Sequence, residues 1–288
     1  MTMNVWFLVR FYACLRFFLK IWPYRIAVTL LELSFRFFSL LSMTKRKHVR
    51  DNLQAILALR KDKTDSVTAK EVSLVFGHFG RYMAEFWGPL SWREEMFKNL
   101  SLRSKEYLDQ ARNTGKPIIL LSSHTGNWEL GAWLLARMGL PMAGLYWAHP
   151  DPHIQIMVQS QRVTQNLELL FWREHSVVSD CNRVLREGKI LAIVADIDYA
   201  MTGIKVNCSG LPIRVSRAPA VFAKRAGAII LPSICVWSQR NHEIIFEEPV
   251  MPDPDESIEK LVQKIAAIYI KWAIQYPYQR LVFRSFGD

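Results

Sequence analysis

A histidine and a glutamate lie five positions apart where an apolar run gives way to polar residues. Residues 117–123 are mostly apolar and are predicted to form a buried strand, and residues 128–138 have the pattern of a helix. His124 is therefore placed at the carboxyl end of a strand, where open α/β sheets bind ligands, and Glu129 in the first turn of the next helix. A neutral imidazole there can take a proton from a hydroxyl, and the carboxylate can orient the ring and stabilise the imidazolium.

The residues around this pair allow two interpretations. Most neighbouring His and Glu side chains are hydrogen-bonded polar neighbours without chemistry, and on local grounds this interpretation stays open. Three features favour catalysis: Gly126 permits a close approach of backbone, Asn127 can cap the helix and offers an amide donor, and the polar patch belongs at an exposed rim. Because no Ser or Cys nucleophile elbow accompanies the pair, the predicted chemistry is direct transfer of a group to an acceptor hydroxyl.

The six residues 124–129, His-Thr-Gly-Asn-Trp-Glu, resemble the histidine-to-acid box of the lysophospholipid acyltransferase superfamily. The glutamate and the Gly-Asn-Trp filling resemble its lipid A acyltransferase branch, which adds secondary acyl chains to the disaccharide lipid of Gram-negative bacteria. Further segments extend the resemblance over nearly the whole chain: a basic helix with Arg-Asp-Asn-Leu at 46–59, a helix at 79–87, a tyrosine-to-arginine spacing at 146–162, Asp-x-Asp-Tyr at 196–199, and Gly-x-Pro with its helix and strand at 210–232.

The resemblance implies roles for the residues of the box. His124 is expected to be the general base, which deprotonates the acceptor hydroxyl as its oxygen attacks a thioester carbonyl, and Glu129 to hold the imidazole in the required tautomer. The tetrahedral oxyanion needs nearby donors, for which Asn127, the first amides of the helix 128–138 and Arg162 are the candidates. The acyl donor is expected to be acyl-carrier protein or acyl-CoA, without a cofactor and without a metal.

Four charged residues beyond the box are candidates for substrate binding. Arg162 suits bidentate binding of a phosphate or oxyanion, or is a solvated helix arginine. Arg173 matches only an arginine-containing region of the family, and either contacts phosphate or pairs with a neighbouring acid. Asp196 and Asp198 follow a predicted strand, where two carboxylates resemble a metal site. Because the family uses no metal, they are expected to hold loops or to contact sugar hydroxyls.

Charge in this 288-residue chain is concentrated at the amino terminus. Residues 1–63 contain twelve Lys and Arg against three acids, so most of the net charge of +11 lies there, in a composition that is 50% hydrophobic. A basic excess in a hydrophobic segment indicates anionic lipid headgroups of a cytoplasmic leaflet, and no nucleic-acid-binding motif accompanies it. The four cysteines are scattered without metal-site spacing and are expected to be ordinary reduced residues.

The first 42 residues are predicted to form two helices separated by Pro23. They have neither the cleavage site of a signal peptide nor a charge-free apolar run long enough for a clear transmembrane span. In the second helix the polar residues fall near one line, as in a helix that lies in the membrane interface. A core-packing helix and a tilted span in which Glu32 pairs with Arg36 are the alternatives. The predicted division is membrane-associating helices at 1–43 and one α/β acyltransferase domain at 44–288.

Strands and helices alternate through the rest of the chain, which predicts an α/β fold with a mostly parallel central sheet flanked by helices. The predicted strands are 118–122, 142–146, 190–195, 229–236 and 243–246, with a ribbon around 204–213. The predicted helices are 48–59, 66–88, 104–112, 128–138, 153–168, 178–187, 217–226 and 257–275.

Together with the resemblance, these features predict a membrane-associated acyltransferase that moves a fatty acyl chain from acyl-carrier protein or acyl-CoA to a hydroxyl of a lipid A-type glycolipid. The alternatives are an acyltransferase for a lysophospholipid or a phosphoinositide glycolipid, and a catalytically silent lipid-binding protein on the same scaffold. The expected partners are anionic membrane lipids and acyl-carrier protein, not nucleic acid, and a monomer is favoured. The expected location is the cytoplasmic face of the bacterial inner membrane, as a peripheral, monotopic or single-span protein.

Overall fold

The computed structural model describes residues 5–60, 66–172, 175–199, 201–238 and 241–285. Within these ranges the helices are α1 Val5–Ile21, α2 Tyr24–Leu41, α3 Met43–Ala58, α4 Ala69–Trp87, α5 Leu90–Lys98, α6 Glu106–Asn113, α7 Trp128–Arg137, α8 Pro152–Arg162, α9 Val177–Arg186, α10 Ala218–Ala226 and α11 Ile258–Gln275. The strands are β1 Ser101–Arg103, β2 Ile118–Ser122, β3 Met142–Tyr146, β4 Leu167–Phe171, β5 Ile190–Val194, β6 Ile204–Cys208, β7 Leu211–Val215, β8 Ile229–Ser238 and β9 Asn241–Phe246.

The central sheet has seven strands in the order β1-β9-β8-β2-β5-β3-β4. Strands β8, β2, β5, β3 and β4 are parallel to one another, β9 is antiparallel to β8, and β1 is parallel to β9. Strands β6 and β7 form a separate hairpin. The arrangement confirms the predicted α/β fold with a mostly parallel sheet, in which the parallel strands place their carboxyl ends at the same edge.

Strand β2 is apolar on both faces because helices cover both sides of the sheet. Ile119 and Leu121 join a core with α9, α10 and α11, whereas Ile118 and Leu120 join a second core with α6 and α7. Successive side chains of a strand point to opposite faces, so this alternation of partners follows from the pleat. The sheet is therefore the middle layer of three, and chemistry is expected where its strands end.

Helix α2 packs part of its polar side against α4. Gly80 of α4 allows the close crossing, because a Cβ atom there would lie 2.5 Å from the carbonyl oxygen of Leu31. Ser39 is buried, and Glu32 and Arg36 are half-buried. The opposite side of the helix exposes large apolar residues, called here the exposed α2 stripe: Ile26, Leu30, Leu33, Phe37 and Leu41. In the carboxyl-terminal half of α2, the polar residues that were predicted to share one side therefore face protein, and the apolar side of the helix faces outward.

Basic side chains of the amino-terminal helices are exposed as well, among them Arg10, Lys20, Arg25, Lys45 and Lys47. Across the ranges that the structure describes, no single helix is long and apolar enough to cross a membrane. Helices α2 and α3 reach that length and composition only together, as a pair bent by 101°.

The predicted strands 118–122 and 142–146 are confirmed, but the predicted helix 153–168 is wrong in its second half. Helix α8 ends at Arg162, and the chain then turns into β4 at the edge of the sheet. Asn166 adopts a left-handed conformation with a φ of 65°, which the interior of a helix does not accept. The apolar run of β4 is too short to distinguish the periodicity of a helix from that of a strand. Its pairing with β3 in the sheet favours the strand. Helix α5 and strand β1 have no counterpart among the predicted elements.

Candidate active site

Two neighbouring parallel strands bring a histidine and an aspartate together at their carboxyl ends. Strand β2 pairs with β5 so that Ser122 lies beside Val194. His124 and Asp196 each follow two residues after these paired positions. The Nδ1 atom of His124 lies 2.6 Å from Oδ1 of Asp196, and the same oxygen accepts the backbone N–H of His124 at 3.1 Å. Because a carboxylate only accepts hydrogen bonds, Nδ1 carries the proton and Nε2 is the basic nitrogen.

This geometry corrects the predicted partner of His124. The sequence predicts that Glu129 orients the imidazole, and the structure places Asp196 in that position instead. Burial would raise the pKa of the Asp196 carboxyl group. The charge that the His124 ring carries when protonated, the hydrogen bonds from His124 and the charge of Arg280 hold that pKa below its ordinary value. Asp196 is therefore ionised beside the imidazole, and this contact replaces the loop-holding or sugar-binding role that was expected of it.

Glu129 forms an ion pair with Arg162, the last residue of α8. Its two carboxylate oxygens accept from Nε and Nη2 of Arg162 at distances between 2.5 and 3.2 Å. The guanidinium also lies 4.0 Å from the centre of the Tyr146 ring. Burial alone would lower the pKa of Arg162, but Glu129 raises it above its ordinary value, so the pair stays charged. A nearly buried carboxylate is costly without a cation, which explains why Glu129 turns to Arg162 and away from His124.

Close backbone contacts fix the turn that carries His124. Gly126 has a φ of 68°, and a Cβ atom there would lie 2.0 Å from the carbonyl oxygen of Cys235 in β8. The N–H of Asn127 donates to that same carbonyl at 2.7 Å. A side chain at position 126 would therefore push the turn away from β8, and the close backbone approach predicted for this glycine is confirmed.

The side chain of Asn127 is turned into the protein. Its Oδ1 accepts the N–H of Leu130 and caps α7, while its Nδ2 donates to Oε2 of Glu85 at 2.8 Å. The residue is only 1% exposed. The prediction that Asn127 donates to the oxyanion is therefore wrong, because its buried amide is already committed to a carboxylate on the far side of the turn.

Glu85 in α4 is the centre of a buried polar network that reasoning from the sequence does not find. Its carboxylate binds the side chains of Tyr24, Arg81, Asn127, Trp237 and His242. Burial would raise the pKa of Glu85, but His242 and Arg81 hold it well below its ordinary value. The network joins the start of α2 to the cap of α7 and so supports the turn that carries His124. The signal in the sequence is a single carboxylate in the apolar run 83–87.

The remaining predicted residues do not meet at this site. Oδ2 of Asp198 accepts the N–H of Gly203 at 2.7 Å, and Arg214 lies 4.0 Å from the same oxygen. Asp198 thus holds the loop after β5, one of the two roles considered for it. Arg173 lies outside the described residues, and its contact with phosphate stays a prediction. Among the residues that the structure does describe, no three His, Cys, Asp or Glu side chains are grouped as metal ligands.

A cavity of about 330 Å³ opens beside His124. Its walls include the Glu129–Arg162 pair. A group of aromatic side chains completes them: Tyr82, Trp128, Tyr146, Trp147, Trp172 and Tyr199. A narrower apolar cavity of about 40 Å³ shares some of these walls and lies between α7 and the sheet, beside Gly131 and Gly144. The site therefore combines the His124–Asp196 pair, a buried ion pair and an apolar recess.

The arrangement suits deprotonation of a hydroxyl beside aromatic and apolar side chains. The imidazole of His124 makes edge contacts with the rings of Trp128, at 4.7 Å between centres, and Tyr199, at 6.2 Å. Apolar walls lower the local dielectric constant, which strengthens the attraction between the imidazolium and the Asp196 carboxylate. The same walls present apolar surface next to His124.

Known proteins of two kinds are similar to this chain. Phosphatidylinositol mannoside acyltransferases from two strains of Mycobacterium tuberculosis are each 27% identical over 168 residues, which is 56% of this chain and 53% of theirs. The chain thus spans about half the length of the curated relatives it matches. Among solved structures, the 1-acyl-sn-glycerophosphate (LPA) acyltransferase of Thermotoga maritima shows a TM-score of 0.39 at 14% identity, with 86% of this chain and 97% of that one covered.

Nearly the whole sequence matches one protein family. Residues 1–284 match the family described as bacterial lipid A biosynthesis acyltransferase. The matched range includes the turn that carries His124, both partners of the ion pair and Asp196, and it confirms the resemblance seen in the six residues 124–129. The chain belongs to the bacterial lipid A biosynthesis acyltransferase family.

Proposed function

We propose that the protein transfers a fatty acyl chain from a thioester, carried by acyl-carrier protein or coenzyme A, to a hydroxyl of a lipid A-type glycolipid. The observation that carries the proposal is the His124–Asp196 pair, which offers a basic nitrogen to a cavity with apolar walls. Membership of an acyltransferase family supports this class of reaction. No cofactor is needed, because the thioester itself supplies the activated acyl group.

In this mechanism Nε2 of His124 takes the proton of the acceptor hydroxyl as its oxygen bonds to the thioester carbonyl carbon. The C–S bond then breaks, and the sulfur leaves as a thiol with the proton that His124 returns. Asp196 holds the Nδ1 proton and stabilises the imidazolium between the two transfers. The backbone N–H groups of Trp128 and Glu129, which have no acceptor within the first turn of α7, are the donors proposed for the tetrahedral oxyanion.

The main cavity of about 330 Å³ beside His124 is the proposed place for the acyl chain. A narrower apolar cavity of about 40 Å³ shares Trp128 and Leu145 with it and extends it between α7 and the sheet. Burial there contributes roughly 0.8 kcal/mol per methylene group of the chain. The thioester carbonyl of a chain bound in this way would lie beside His124.

A second class of acceptor is favoured by one observation. The curated relatives are named phosphatidylinositol mannoside acyltransferases, and a phosphoinositide glycolipid, like a lipid A precursor, combines sugar hydroxyls with phosphate. Arg162 lines the cavity, and its guanidinium suits the phosphate of either acceptor. Its ion pair with Glu129 reduces the positive charge that it offers to that phosphate. An assay with both acceptors therefore decides between them.

The test is an acyl-transfer assay with purified protein, two donors and two acceptors. Thioesters of one fatty acid on acyl-carrier protein and on coenzyme A are each combined with a lipid A precursor or a phosphatidylinositol mannoside, and products are identified by mass spectrometry. We expect one acyl chain to be added as an ester to the lipid A precursor. Addition only to the mannoside would establish the second class of acceptor. Lipid binding without transfer in all four combinations would leave a lipid-binding protein and contradict the proposal.

The amino-terminal helices are the proposed membrane-binding segment. The exposed α2 stripe and the exposed basic residues supply apolar burial and attraction to anionic headgroups. Such a surface would hold the cavity near lipid acceptors at the cytoplasmic face of the bacterial inner membrane. Residues 1–43 are then membrane-associating helices and residues 44–288 a single α/β acyltransferase domain, which works as a monomer with acyl-carrier protein as its partner.

Two acidic substitutions in the exposed α2 stripe should weaken membrane binding. Leu33 and Phe37 are 55% and 64% exposed, and burying such a side chain contributes roughly 1.5–3 kcal/mol. We expect the double variant Leu33→Glu/Phe37→Glu to bind anionic vesicles at least about tenfold more weakly than wild type in a sedimentation assay. Salt should weaken wild-type binding too, because each basic side chain at an anionic surface contributes about 1 kcal/mol.

The matched control is Val178→Glu, at an exposed apolar position on α9. It should bind vesicles as wild type does, and thermal unfolding of all variants should stay close to wild type because the changed side chains are exposed. Equal binding of wild type to neutral and anionic vesicles, or unchanged binding by the double variant, would contradict a membrane-binding segment built from these helices.

A further inference from the structure

The carboxyl-terminal segment that follows α11 lies across the turn that carries His124. The N–H of Gly126 donates to the carbonyl of Gln279 at 2.9 Å, and the N–H of Leu281 donates to the carbonyl of His124 at 2.8 Å. An antiparallel bridge lies between these two hydrogen bonds and includes Arg280. The segment is thus an added strand on the catalytic turn, and its pairing fixes where the side chain of Arg280 enters the protein.

Arg280 is a nearly buried cation next to the carboxylate of the catalytic pair. Its side chain is 9% exposed, and its Nη2 lies 3.8 Å from Oδ2 of Asp196. The other oxygen of Asp196, Oδ1, is the one that binds His124. Asp196 is therefore held between an imidazole and a guanidinium. Arg280 and Asp196 also line a small cavity of about 20 Å³, where little bulk water screens their interaction.

None of the other ionisable groups described near the pair supplies a negative charge that would neutralise Arg280. Burial raises the pKa values of Tyr199, which faces His124, of Tyr269 on α11 and of Tyr82 on α4, so these phenols are neutral. Glu129 and Arg162, on α7 and α8, balance each other at the wall of the main cavity. Two further cations, Arg214 of β7 and Arg284, line the small cavity with Asp196.

We propose that Arg280 is a positioning residue of the active site, whose charge keeps the imidazole of His124 unprotonated and ready to act as a base. The inference rests on the acyl transfer proposed above, in which the reaction begins with a neutral imidazole. A buried carboxylate alone beside His124 would favour the imidazolium and retain the proton there. Arg280 compensates part of the carboxylate charge, so that Asp196 orients the ring without trapping the proton.

The test compares the pH dependence of Arg280→Met and Arg280→Lys with that of wild type. The acidic limb of kcat/KM should move to higher pH by about one unit in Arg280→Met. This is the low end of the one to three units by which a nearby charge shifts a pKa, because Arg280 contacts Asp196 and acts on the ring through it. At pH values below the acidic limb, the activity of Arg280→Met should be roughly tenfold lower than that of wild type, and above the limb it should differ little. Arg280→Lys keeps the charge and should restore most of the wild-type profile. Arg225→Met, which removes an exposed charge from α10, is the matched control and should change neither.

An NMR titration of the imidazole makes the test independent of turnover. In protein with labelled histidine, the resonance that is missing from His124→Ala identifies the ring. Its protonation should move to higher pH in Arg280→Met by the same amount as the acidic limb of the rate profile. Arg280→Lys should titrate close to wild type.

Two results would overturn the inference. One is a titration and a rate profile of Arg280→Met that superimpose on those of wild type. The other is a loss of activity that is equal at all pH values and parallels a loss of thermal stability, since Arg280 would then only support the fold. A wild-type protein without acyl transfer would instead overturn the proposed function, and the NMR titration would still decide whether Arg280 controls the protonation of His124.

Discussion

Replacing His124 with alanine should lower kcat/KM for acyl transfer by about 10²–10⁴-fold, the usual contribution of a general base. Its Nε2 is the basic nitrogen that the His124–Asp196 pair offers to the cavity. The KM values for donor and acceptor should change little, because the other walls of the cavity proposed to bind them remain. Initial rates of purified protein, with thermal unfolding as a check on the fold, give the measurement.

The matched control is His149→Ala, which changes an exposed histidine outside the walls of the cavity and should keep wild-type rates. A second variant, His124→Gln, retains a hydrogen-bond donor for Asp196 and separates loss of the base from disturbance of the turn. Near-normal turnover in folded His124→Ala would exclude the imidazole as the base.

The position of His124 in the fold could be predicted because it depends on the local order of elements along the chain. An apolar strand, a polar turn and a helix place His124 at a strand end whatever the remaining elements do. Its partner depends on which strands are neighbours, and Asp196 comes from β5, 72 positions later. Local patterns do not give strand order, so the carboxylate nearest in sequence, Glu129, is a natural but wrong choice for the orienting role.

The same limit applies to the helices. One segment shows which of its residues share a side, but the surface that this side contacts depends on a second segment. The period of α2 shows which residues share a side, but not whether that side meets protein or membrane. Gly77 and Gly80 of α4 admit the polar side of α2, because Cβ atoms there would strike Arg36 and Leu31. The network around Glu85 likewise takes its donors from several elements, and each donor alone looks like an ordinary polar residue.

Asparagine in place of Asp196 should lower kcat by up to about 10⁴-fold, the loss that follows when the orienting carboxylate of a histidine-based triad becomes an amide. The amide has no charge to stabilise the imidazolium. If its NH₂ group faces Nδ1, the ring proton moves to Nε2, where the base must be free. The measurement is kcat and KM for Asp196→Asn, with KM expected to stay close to wild type because Asp196 is not among the walls of the main cavity.

Glu129→Gln is the matched comparison, because the sequence gives Glu129 the role that the structure gives Asp196. Removing its charge leaves Arg162 as a nearly buried cation without its counter-charge, which costs about 3–5 kcal/mol in free energy of unfolding. The double variant Glu129→Gln/Arg162→Met removes both charges and should recover part of that stability. A loss of kcat in Glu129→Gln as large as in Asp196→Asn, at unchanged thermal stability, would return the orienting role to Glu129. If the His124–Asp196 pair at the ends of β2 and β5 is the functional one, Asp196→Asn should cause the larger loss of kcat. Glu129→Gln should then cause the larger loss of stability.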